Sequence, residues 1–140
     1  MKKILNCSCA KKFGDLAPFF LRVVTGAIFL AHGWQKYVDG IGGVEGFLAG
    51  MNFPAPALLA VILVIAEIAG GTLLILGAFT HWVAKVLAFV ALVALVTVHL
   101  PNGFIGPGGY EFILLILVSC ISLIITGPGK ISVDARMKRS

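Results

Sequence analysis

Residues 56–78 read "PALLAVILVIAEIAGGTLLILGA", and Glu67 is the one ionisable residue among them. A membrane-crossing helix needs about 20 consecutive, mostly apolar residues, because 1.5 Å of rise per residue must cover about 30 Å of hydrocarbon. The stretch therefore predicts a transmembrane helix with a carboxyl near its middle. The rest of the chain has the same character. It is 59% hydrophobic and 12% charged, with a mean hydropathy of +1.05, whereas soluble domains carry about 25% charged residues. Arg22 is the only charge between Asp15 and Lys36. None lies between Lys85 and Glu111, or between Glu111 and Lys130. Four spans follow, at about 18–37, 56–78, 82–100 and 110–127, and the fold class is an all-α integral membrane four-helix bundle.

The net charge of +5 is concentrated at the chain ends. Lys2, Lys3, Lys11 and Lys12 precede the first span, and Lys130, Arg136, Lys138 and Arg139 follow the fourth. Positive flanks mark the cytoplasmic side, so both termini are expected inside, in a multi-pass protein of a bacterial or archaeal plasma (inner) membrane. The layout is a cytoplasmic tail over 1–15, a four-span domain over 16–129 and a solvated basic tail over 130–140. Topology accounts for the basic ends, so no nucleic-acid partner is called for. The lysines before the first span do not make it a signal peptide, since the apolar run is too long and no small-residue cleavage pattern follows. Cys7 and Cys9, in "CSC", lack the further ligands a metal site would need, and no metal is expected.

The outer segment 38–56, "VDGIGGVEGFLAGMNFPAP", predicts a short interfacial helix whose Phe47, Leu48, Met51 and Phe53 meet lipid headgroups. Pro54 and Pro56 mark the start of the second span. Ala66, Gly70, Gly71 and Gly77 supply the small surfaces that let membrane helices approach closely.

Glu67 is the residue a membrane should not tolerate. It sits about eleven residues from either end of its span, on the order of 16 Å from each surface, beyond snorkelling reach. Arg22 and Lys85 lie near the cytoplasmic ends of spans one and three and can snorkel. In the outer leaflet, "FLAHGWQKY" (29–37) places His32, Gln35 and Lys36 at i, i+3 and i+4 on one helical face. His99, Asn102, Tyr110 and Glu111 fall in the same leaflet. Together they outline a polar funnel leading down to Glu67. A quinone head group, apolar with two oxygens, suits such a funnel. Glu67 and His32 would hydrogen-bond or protonate it, with His99 and Glu111 as an outer proton path. Trp34, Tyr37, Phe104 and Tyr110 could stack beside it.

"LRVVTGAIFLAHGWQK", "AEIAGG", "HLPNGF", "GGYE" and the closing "GPG" resemble the DoxX family of small four-helix membrane proteins, over about residues 18–135. The resemblance implies a membrane bundle. It also implies a redox setting, since family members are described as small subunits of thiosulfate- or quinol-linked oxidoreductases, and others are linked to oxidative and electrophile stress. Its characteristic positions correspond here to His32, Gln35, Lys36, Glu67, His99, Asn102, Tyr110 and Glu111.

The leading expectation is a redox-associated subunit with Glu67 and His32 as catalytic residues. Gln35, Lys36, His99, Asn102, Tyr110 and Glu111 would bind the ligand, a quinone would be the cofactor, and a partner redox protein would supply electrons. Self-association is compatible with all of this. Three other readings stay open: a small proton-coupled transporter, a structural or assembly subunit of an oxidoreductase complex, and a haem protein ligated by His32 and His99. Haem is awkward because the two histidines differ in depth by about 6 Å.

Overall fold

The computed structural model describes Gly14 and residues 16–139. The expected 1–15 tail, with Cys7 and Cys9, otherwise lies outside the described residues. Among the described residues there are helices and no strands: α1 (Leu16–Asp39), α2 (Ile41–Gly50), α3 (Pro56–Leu76), α4 (Thr80–Ala94), α5 (Glu111–Thr126) and α6 (Val133–Met137). α4 runs on through a π-helical turn (Leu95–His99) and a 3-10 turn (Leu100–Asn102). α1, α3 and Thr80–Asn102 are each long and apolar enough to cross a membrane. α5 has 16 residues, a rise of about 24 Å. Each of the four stretches expected to span coincides with a helix to within a few residues. Large apolar side chains face outward all round, with Phe89 67% and Ile125 79% exposed. Such a surface suits lipid and not water.

α1 and α3 are the most closely packed pair. A Cβ on Gly26 would come within 2.7 Å of the Gly71 carbonyl oxygen, and one on Gly71 within 2.6 Å of the Leu30 nitrogen. Gly33 lies against Glu67 and Ile68, where an added Cβ would meet each at 2.8 Å. The heptad spacing of Gly26 and Gly33 keeps one seam of α1 on α3. Gly70 faces the other way, against Leu87 of α4. The expected glycine packing is therefore shared between two helix interfaces. α5 closes the bundle against α4 and α1, around Leu74, Leu87, Ala91, Cys120 and Leu123.

Local chemistry sets the ends of these helices. Pro56 sits in the first turn of α3, where its missing N–H costs nothing. Gly77 ends α3 at φ +70°, with Ala78 N–H donating to Leu73 O and Gly77 N–H to Leu74 O, the paired bonds of a Schellman cap. Pro101 offers no N–H to the Thr97 carbonyl, which accounts for the loosened turn at the end of α4.

Arg22 does not snorkel. It is 1% exposed and donates to Ile75 O (2.6 Å) and to Leu74 O (3.2 Å), two carbonyls in the last turn of α3. It also donates to Ile131 O. Segment 130–140 is correspondingly not a wholly solvated tail. Ser132 is buried, and the Asp134 carboxylate accepts from Phe79 N–H (2.7 Å) and Thr80 N–H (2.9 Å). A distant residue thus caps α4, whose own preceding residue, Phe79, has no capping side chain.

Candidate functional site

Glu67 leaves the middle of α3 and is 5% exposed. Its partner is Lys36, one turn beyond Gly33 on α1, whose Nζ lies 2.7 Å from one carboxylate oxygen and 2.6 Å from the other. Gly33 makes the pair possible, because a larger residue there would hold α1 off Glu67. His32, expected to meet the same head group as Glu67, does not line the cavity with it. The seam of α1 runs through Arg22, Gly26, Phe29 and Gly33 to Lys36, at steps of three and four. His32 lies about 100° off it. Its imidazole is exposed and Nδ1 donates to Ile28 O, 2.8 Å away in its own helix.

The ion pair forms part of the wall of a cavity of about 760 Å³ between α1, α2, α3 and α4, within the volume range of small-molecule sites. Apart from the pair, the wall is mainly aliphatic and aromatic. Leu59, Ile62 and Leu63 come from α3, and Val90, Val93 and Val98 come from α4 and its extension. Asp39, Thr97 and His99 add the other polar groups. α2 forms a lid. Phe47, Leu48, Met51 and Phe53, expected at headgroups, line the cavity instead, although Phe47 also keeps a 51% exposed surface. The short helix itself is as expected.

His99 reaches the cavity from the π-helical turn that Pro101 induces. Its Nδ1 donates to Gly108 O at 2.8 Å. A carbonyl can only accept, so this bond leaves Nε2 as the acceptor of the neutral ring. Asn102 donates from Nδ2 to Val98 O (3.1 Å) and to the same Gly108 O (3.2 Å). It braces the turn and does not line the cavity.

Of the eight positions singled out from sequence, the structure brings Lys36, Glu67 and His99 to one cavity. His32 and Gln35 lie exposed on α1, and Glu111 lies exposed at the start of α5. Tyr110 packs on Phe104, ring centroids 5.1 Å apart. Trp34 packs beside Tyr37 at 5.8 Å, both largely exposed. Ser119, Ser122 and Thr126 each donate to the carbonyl four residues earlier in α5. Sequence reasoning missed Asp39 and the inward side of α2. Among the described residues no group of three or more His, Cys, Asp or Glu could hold a metal.

The DoxX family model matches residues 17–100, the stretch that supplies every helix around the cavity. The chain is 30% identical over 120 residues to "Putative oxidoreductase CatD" of Bacillus subtilis (strain 168), covering 86% of each chain. It is 32% identical over 133 residues to "Inner membrane protein YphA" of Escherichia coli (strain K12), covering 89% of this chain and 94% of that one. It is also 32% identical over 139 residues to "Uncharacterized membrane protein Rv3486" of Mycobacterium tuberculosis, covering 90% and 84%. No solved structure matches it.

Proposed function

The chain belongs to the DoxX family of membrane proteins, and on that premise we propose that it binds a quinone, or a similarly small apolar electron carrier, in the cavity walled by Lys36, Glu67 and His99. The observation that carries this reading is the make-up of that cavity: a ligand-sized, mainly apolar space whose wall carries one ion pair and one imidazole, with Asp39 and Thr97 as its other polar side chains. Lys36 Nζ has three N–H donors and gives two to Glu67, which leaves one for a quinone carbonyl. Glu67 holds the ammonium in place for that contact. His99 Nε2 is an acceptor suited to the hydroxyl of the reduced form. Electrons come from a partner redox protein, and the printed name of CatD supports a redox setting. Both termini face the cytoplasm of a plasma membrane, as the basic flanks suggest.

A second reading is favoured by one observation. The Lys36–Glu67 pair lies at the tightest helix contact, beside Gly33, so it could serve assembly alone. Titrating a short-chain quinone into nanodiscs separates the two. Glu67→Gln is expected to weaken binding while the protein stays folded. Unchanged affinity in a folded variant removes Glu67 from the site.

A further inference from the structure

A second apolar hollow, of about 590 Å³, runs along the outside of the bundle between α3 and α4. Ala66, Val86 and Phe89 line both this groove and the cavity. The two are therefore neighbouring spaces that share one wall at the middle of α3. From there the groove follows the antiparallel helices away from Glu67, past Gly70 and Leu73 on α3 and back along α4 to Trp82. That path covers about 10 Å of helix. Beside the groove Gly70 lets α4 pack close to α3, since a Cβ there would meet the buried Leu87 at 3.0 Å. At the far end Lys85 lies over the Trp82 ring, 4.5 Å from its centroid, the kind of pairing found where a bilayer meets water.

We propose that this groove seats the isoprenoid tail of the ligand whose head group occupies the cavity, so that the physiological ligand is a long-tailed carrier and not a small water-soluble one. The proposal rests on the quinone reading above. Its own support is the three shared lining residues, together with a groove that is apolar along its length and faces lipid. Phe89 stands at the junction, where the tail would pass. A tail lying in lipid gains no hydrophobic free energy on moving into an apolar groove. Its contribution is therefore positional: it orients the head toward Lys36 and His99.

The test uses the full chain in nanodiscs and a quinone whose isoprenoid tail is short enough to end within the groove, with a diazirine at that end. After illumination, adducts are mapped by mass spectrometry. Adducts on Trp82 and Val86 are expected, with loss of that labelling when unlabelled tailed quinone is added. Leu73→Trp, which fills the groove outside the cavity, should abolish those adducts and leave binding of a head-only quinone unchanged. Adducts spread equally to Phe20 and Ile125 would overturn the proposal. So would labelling of the groove by a diazirine phospholipid that tailed quinone does not displace, because the groove would then be a lipid site. If head-only quinone binds and the tail label misses the groove, only this inference falls. If head-only quinone does not bind, the parent reading falls with it.

Discussion

Replacing both members of the Lys36–Glu67 pair separates a binding site from a structural clasp. At 2.7 Å and an effective dielectric constant of about 20, the Coulomb attraction is about 6 kcal/mol. Desolvation of Glu67 opposes this, and the Lys36 side chain remains 29% exposed, so truncating one partner should cost about 2–4 kcal/mol net. Glu67→Leu leaves an ammonium against an apolar wall, and Lys36→Met leaves a buried carboxyl without its donor. The double variant leaves neither, and apolar pairs of similar volume are often nearly neutral substitutes for ion pairs. Denaturation in mixed micelles should place each single variant about 2–4 kcal/mol below wild type and the double variant within about 1 kcal/mol of it. Quinone binding should be lost in all three. A double variant that is stable and still binds quinone would refute the site. One as unstable as the two singles combined would refute the assumption that the pair can be replaced.

Other outcomes follow from the packing. Gly71→Leu forces α1 away from α3, because even a Cβ meets backbone at 2.6 Å; a loss of at least about 1–3 kcal/mol is expected in the same micelle assay. Arg22→Met removes the donor to Leu74, Ile75 and Ile131, and limited proteolysis should then cut faster between residues 128 and 139 than in wild type. Asp134→Ala uncaps α4 and should lower stability by about 0.5–2 kcal/mol, with Asp134→Asn retaining part of the cap. Reporter fusions at either terminus should score as cytoplasmic if the proposed topology holds.

The spans were legible because uncharged runs of membrane length leave little else for a chain to do. Glu67 stood out for the same reason, since a carboxyl at mid-span demands a partner. The identity of that partner was not legible from polar spacing alone. His32 and Lys36 are one turn apart, and either could serve until the rotation of α1 is known. Gly26 and Gly33 set that rotation, and their seven-residue spacing was the available signal: extended by three residues it ends on Lys36, and extended back by four it ends on Arg22. Arg22 and Asp134 escaped for a different reason. Their partners are backbone groups more than fifty residues away along the chain, on Leu74, Ile75, Phe79 and Thr80, and no side-chain pattern advertises a carbonyl or an N–H. α2 was foreseen as a helix, but whether its apolar residues met lipid or protein depended on the cavity beneath it.

In the proposed complex Lys36 donates a hydrogen bond to a quinone carbonyl inside the cavity. Infrared difference spectroscopy on the protein in nanodiscs, with quinone labelled by carbon-13 at its carbonyls, measures that bond directly. A carbonyl stretch that moves to lower frequency on binding, and returns to its lipid value in Lys36→Met, is the predicted result. A stretch that stays at its lipid frequency in wild type would mean that Lys36 makes no such bond.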